Sequence, residues 1–123
     1  MKKRLTIEWL EKPEPHDYLA AASYLSLIMD DRSATQAVAK LKRAKMQKFK
    51  AKDIFRASSL QLLPLNNSHV KKDERKILAG EHLSPILLVR DSSTGKVVIA
   101  DGYHRMCAVY AFDEDATIPC KIV

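Results

Sequence analysis

The chain has 123 residues, 46% of them hydrophobic and 29% charged, with a formal net charge of +6. That length fits one domain with a modest core of its own. Three glycines and five prolines exclude a long flexible linker or a low-complexity segment. The positive balance favours polyanionic partners, such as nucleic acid or nucleotides, over polycationic ones.

Residues Met1-Lys2-Lys3-Arg4 are basic, but no apolar signal core follows them. Leu5, Ile7 and Trp9 alternate with Thr6 and Glu8, a period of two that predicts a short strand. Pro13 and Pro15 end it. Asp17 opens a predicted helix to about Met29, with Tyr18, Leu19, Ala22, Leu25, Ile28 and Met29 at helical spacing. This apolar-rich stretch is too short to span a bilayer. A cytoplasmic protein with no membrane segment is the expectation.

Asp30-Asp31-Arg32 reads as a turn, and Ser33 to Gln36 fits a capping box. A second helix is predicted from Ala34 to about Lys48, its apolar line formed by Ala37, Val38, Leu41, Ala44 and Phe49. The two helices should form an antiparallel pair. Lys40, Lys42, Arg43, Lys45, Lys48, Lys50 and Lys52 follow one another with no acid between them. On a helix over 40–52 they would cover most of the solvent side, a solvated face or a contact for nucleic-acid phosphates. Lys42, Arg43 and Lys45 are the candidates for such a contact.

Leu60 to Leu63 reads as a strand entering a loop, with Pro64 and Asn66-Asn67 as punctuation. Lys72 to Leu78 is a short predicted helix closed by Gly80. Pro85 to Arg90 and Lys96 to Ala100 are strands, joined by the turn Asp91-Ser92-Ser93-Thr94-Gly95. Asp101-Gly102 interrupts the second of them. Tyr103 to Phe112 is then a helix, and Thr117 to Val123 a last strand.

Cys107 and Cys120 lie in apolar surroundings, outside any CxxC or zinc-type spacing. They read as buried free thiols suited to a reducing compartment. No cluster with metal-ligand spacing is evident.

The chemistry concentrates at the strand-to-helix junction. Gly102 permits a sharp turn and a close approach to a ligand. The first turn of the following helix offers free N–H groups with partial positive charge. His104 and Arg105 add donors there, so the junction is an anion site in outline. Asp101 either caps the helix or helps hold magnesium beside a phosphate. In the Asn/Ser-rich loop before Lys72, His69 is a candidate general base, since histidine titrates near neutral pH.

The stretch from Leu83 to Val123 resembles the C-terminal part of the ParB/sulfiredoxin-like superfamily. The resemblance rests on Leu83-Ser84-Pro85-Ile86-Leu87-Leu88-Val89, the hairpin, Ile99-Ala100-Asp101-Gly102-Tyr103-His104-Arg105, and Thr117-Ile118-Pro119-Cys120-Lys121-Ile122-Val123. It implies a small α+β fold, a mixed sheet with packed helices. Residues 53–123 would be the superfamily core, and 1–52 an N-terminal strand and helical extension. It also implies a first strand and a ligand-lining loop between Leu62 and Val70. In that superfamily the Gly-x-x-Arg helix start holds nucleotide phosphates. Carried over, Gly102, Tyr103, His104 and Arg105 form the phosphate-contacting turn, with Asp101 and His69 as catalytic candidates. A nucleotide with magnesium is the implied ligand, and a phosphotransferase or nucleotide hydrolase the implied activity class. Tyr103 stands where sulfiredoxins carry their catalytic cysteine, which argues against sulfinic-acid reduction. No arginine-rich box or downstream helix-turn-helix of the ParB partition type is present, and the Glu that related free serine kinases carry as a base in the upstream loop has no clear counterpart, Asn67, Ser68 and His69 standing there instead. The alternative is a non-enzymatic nucleic-acid- or protein-interaction module built on the basic segment.

Overall fold

The computed structural model describes residues 6–123. Among them, in chain order, run α1 (Pro15–Ile28), α2 (Asp31–Arg43), β1 (Gln47–Lys50), α3 (Ala51–Ser58), α4 (Ser68–Leu78), β2 (Ile86–Asp91), β3 (Lys96–Asp101), α5 (Tyr103–Phe112) and β4 (Thr117–Ile122). The strands form one mixed sheet in the order β1-β4-β2-β3. β2 and β3 are an antiparallel hairpin, β4 lies parallel to β2, and β1 closes the other edge antiparallel to β4. This is the small α+β fold expected.

The central strand explains its own composition. Ile86, Leu87 and Leu88 are all buried, yet they serve opposite sides of the sheet, because successive side chains of a strand point to opposite faces. Ile86 and Leu88 join Ile54, Val70, Ile77 and Met106 beneath α3, α4 and α5. Leu87 joins Ala21, Leu25, Val38 and Leu41 beneath α1 and α2. A strand covered on both faces reads as a continuous apolar run.

Several expectations change at the N-terminal half. The predicted strand over Leu5–Trp9 is, within the described residues, one bridge: Leu83 N donates to the Glu8 carbonyl and Leu10 N to the Leu83 carbonyl. Leu5 lies outside the described residues. Pro15 does not merely end a strand but starts α1 as its first residue, where its missing N–H is harmless and its φ suits the helix. α2 starts earlier than predicted, because Asp30 is the cap: its carboxylate accepts from Ser33 N at 2.7 Å.

The largest correction concerns 40–52. α2 stops at Arg43, and Ala44 turns extended. Residues 47–50 then pair with β4, Phe49 opposite Ile118, and α3 follows at once. The basic segment is therefore the end of one helix, an edge strand and the start of another helix, and it presents no single helical face. Through β1, the first half of the chain supplies an edge strand of the common sheet. The segment Leu60–Leu63 is no strand either. Its backbone is held by α5 instead, through Leu63 N to Cys107 Sγ at 3.5 Å and Tyr103 Oη to the Gln61 carbonyl.

Candidate functional site

β3 delivers Asp101 at its end, and Gly102 turns the chain into α5. Gly102 has φ +108°, a conformation that side-chain-bearing residues rarely adopt. A Cβ there would also stand 2.8 Å from Ile86 Cγ1 and 3.0 Å from Arg105 Nη2. Glycine at this position is thus required twice, by backbone conformation and by space.

Gly102 caps α5 by its backbone position, which leaves Asp101 another task. Its Oδ2 accepts from Arg105 Nη2 at 2.8 Å, and the same nitrogen donates to the Pro85 carbonyl at 3.4 Å. Arg105 Nε is buried and has no hydrogen-bond partner. Burial pushes the Asp101 carboxyl upward from its ordinary value, and the Arg105 charge opposes that rise. Asp17, a carboxyl only 2% exposed on α1, is a nearby like charge that adds to the rise. Asp17 Oδ2 also accepts from Glu14 N at 2.9 Å.

His69 is not in a loop. Asn67 is the N-cap of α4, its Oδ1 accepting from His69 N at 3.0 Å and Val70 N at 3.2 Å. His69 therefore occupies the first turn of α4, and His104 the first turn of α5. Their rings meet with centroids 4.8 Å apart, tilted by 44°. Burial and the neighbouring His69 hold the His104 imidazole below its usual value, so its neutral form dominates at neutral pH.

From α4, His69, Lys72, Asp73 and Lys76 line one wall of a cleft of about 220 Å³. Asp101, Gly102, His104 and Arg105 line the other. The α4 residues recur at i, i+3, i+4 and i+7, which is one helical face. Burial raises the Asp73 carboxyl, against the pull of Arg105 and Lys76. With Arg105 paired to Asp101, the two lysines give the cleft a net positive character. Tyr103 does not line it, since its hydroxyl is spent on the Gln61 carbonyl.

Sequence reasoning thus placed Asp101, Gly102, His104, Arg105 and His69 together and missed Lys72, Asp73 and Lys76. An α4 started at Ser68, after the Asn67 cap, would have shown their shared face. Asp17 was also missed, although it lies on the buried ridge of Ala21 and Leu25 at four-residue spacing. Lys42, Arg43 and Lys45 lie outside the cleft. A larger depression of about 570 Å³ runs beside Trp9, Met46, Gln47 and Phe112, but no comparable gathering of ionisable groups faces it.

Magnesium finds a poor fit. The Asp101 carboxylate is engaged by Arg105 and lies near a second carboxyl. Among the described residues, no three His, Cys, Asp or Glu side chains gather where they could hold a metal ion. Cys107 and Cys120 are both free and buried. No described helix is long and apolar enough to cross a membrane. Comparison of the chain with protein families, curated proteins and solved structures finds no match.

Proposed function

We propose that the α4–α5 cleft binds the phosphate groups of a small phosphorylated ligand, a nucleotide di- or triphosphate being the leading candidate. The observation that carries this reading is the convergence of Lys72 and Lys76, along one face of α4, and Arg105, in the first turn of α5, on a small polar cleft. Both helix starts carry partial positive charge, and the three cations supply charge-assisted donors. The unpaired Arg105 Nε is a buried donor that a rearranged guanidinium would offer to an incoming oxygen. At about 220 Å³ the cleft is smaller than the ~300–1,000 Å³ typical of whole-ligand pockets. It suits phosphates, with any nucleoside lying outside. The resemblance of Leu83–Val123 to the ParB/sulfiredoxin-like superfamily supports the same reading.

Phosphoryl transfer or nucleotide hydrolysis extends it. Such chemistry needs fixed cations around the transferred group and a base for the nucleophile. The lysines and Arg105 serve the first need. His69 and Asp73, whose carboxyl burial raises from its ordinary value, are the candidates for the second. Asp101 acts by fixing Arg105. The nucleic-acid alternative loses the helix on which it rested. Lys52 and Lys50 face Asp115 at 2.6 and 3.8 Å, which offsets part of the basic segment.

The test is thermal stability against pyrophosphate, ATP, ADP, CTP, GTP and AMP, with and without magnesium. A ligand at a hundredfold excess over its Kd stabilises the folded state by about 2.7 kcal/mol. Lys72→Ala and Lys76→Ala leave the fold intact and should each weaken affinity about tenfold or more, since a hydrogen bond to a charged group contributes ~1.5–3 kcal/mol. A shift that survives both substitutions, or no shift for any compound, removes the proposal.

A further inference from the structure

A pocket of about 230 Å³ opens between α3 and the sheet, and it shares no residue with the α4–α5 cleft. Ile54, Leu88 and Ile122 line it from the core side, each buried. Phe49, Ala57 and Val97 are only half-buried and leave the recess open to solvent. The small side chain of Ala57 is what keeps the space free on the helix side. Asp53 and Arg90, both exposed, complete the lining.

Local structure sets these two charges in place. Arg90 follows Leu88 by two residues in β2, so both project on the α3 side of the sheet. Its backbone is fixed, with Arg90 N donating to the Val123 carbonyl at 2.7 Å, and Val97 stands opposite it in β3. Asp53 and Ala57 are four residues apart on α3, neighbours on one helical face. Among the described residues, neither Asp53 nor Arg90 enters an ion pair, with the other or with any third group. The remaining charges on these elements do not compete. Lys50 and Lys52 face Asp115, Asp91 accepts from Ser93, and Arg56 and Lys96 do not line the pocket.

We propose that this pocket binds a free α-amino acid with a branched aliphatic side chain, the side chain entering between α3 and the sheet, the carboxylate meeting Arg90 and the ammonium meeting Asp53. An apolar recess with two opposite, mutually unpaired charges beside it complements a ligand with the same three parts. A free amino acid carries them on one carbon. An apolar acid or an apolar amine would leave one of the two protein charges unmatched, and an internal residue of a peptide would match neither. Arg90 offers the carboxylate a charge-assisted, two-pronged donor. The volume is below the ~300–1,000 Å³ of pockets that enclose larger ligands, which excludes a nucleotide or a long acyl chain. The lining is aliphatic apart from Phe49, which suits a leucine or isoleucine side chain.

Titration of the full chain with L-leucine, followed by amide NMR shifts, tests the proposal. Saturable shifts are expected at Asp53–Ala57, Arg90 and Val97, with the amides of the α4–α5 cleft unmoved. Isocaproate keeps the side chain and carboxylate without the ammonium, and isoamylamine keeps the side chain and ammonium without the carboxylate. Each should bind about tenfold more weakly than leucine, as should leucine to Asp53→Asn and to Arg90→Gln. Both substituted side chains are exposed, so the fold tolerates their loss. Ala57→Leu fills the recess and should abolish binding while the melting temperature holds or rises. Val97→Phe blocks the pocket from the sheet side and serves if Ala57→Leu does not fold. Absence of saturable shifts with leucine overturns the proposal, and so does binding that survives a filled pocket. Isocaproate or isoamylamine binding as tightly as leucine overturns the amino-acid assignment.

Discussion

The sheet is covered by two helical layers of different character. On one side α4 and α5 are sharply divided: Val70 and Ile77 face the core, while His69, Lys72, Asp73 and Lys76 face a cleft. On the other side α1 is apolar nearly all round, with Ala21 and Leu25 inward and Leu19 and Leu27 outward. The first layer gathers charge at a concave place, which suits a small anion. The second spreads neutral apolar surface along an exposed helix. Asp17 connects them, since it sits on α1 and its charge bears on Asp101 of the cleft.

The comparison is most sharply tested in β2, where adjacent residues serve opposite layers. Leu87→Ala and Leu88→Ala should each destabilise the fold by about 2–5 kcal/mol, as large-to-small core substitutions do. Hydrogen exchange should separate them, with α1–α2 loosened by the first and α4–α5 by the second. Identical exchange patterns would show that the layers do not behave as distinct units. Gly102→Ala comes next, at roughly 2–3 kcal/mol in denaturant unfolding, because it combines a left-handed backbone with a clash against Ile86. A neutral result would mean the β3–α5 turn relaxes freely, and the cleft with it.

A pH experiment addresses the sheet between the layers. Burial pushes the Cys120 thiol up to about 11. The unfolded chain loses this proton near 9.0, so between those values the folded state holds the proton and the unfolded state does not. Stability should therefore fall as pH rises through that window, by up to ~2–3 kcal/mol. Cys120→Ala should flatten the alkaline limb. On the α2 side, Lys121 is buried and its Nζ donates to the Lys42 carbonyl at 2.9 Å, at the C-terminal end of α2. Lys121→Met keeps the stem and removes the donor, and should cost about 1 kcal/mol. The smallest effect belongs to the exposed pair Lys52–Asp115, where Lys52→Ala should leave the melting temperature unchanged within error.

Much of the fold was legible because its signals are local. The β2–β3 hairpin follows from two apolar runs around Asp91–Gly95, with Ser93 N and Oγ both donating to Asp91. α5 was read to its true limits because Gly102 marks its start and Asp113 leaves helical geometry at its end. The errors are where a distant partner decides. Lys48-Phe49-Lys50 has strand alternation, but it lies beside a helix signal of equal strength, and only β4, about 70 residues later in the chain, settles the outcome. Leu60–Leu63 has strand composition, but Tyr103 and Cys107 satisfy its backbone, so no ladder forms.

The sequence alone determined the strand-glycine-helix junction, the cationic donors at its start and the hairpin that precedes it, because turn chemistry and caps act over a few residues. Tertiary structure alone decided that α4 supplies the opposing wall of the cleft, that Asp17 lies near Asp101, and that the basic segment is divided between a helix and an edge strand. Those outcomes depend on which surfaces the two cores bury together, and burial is a property of the packed chain rather than of any short segment.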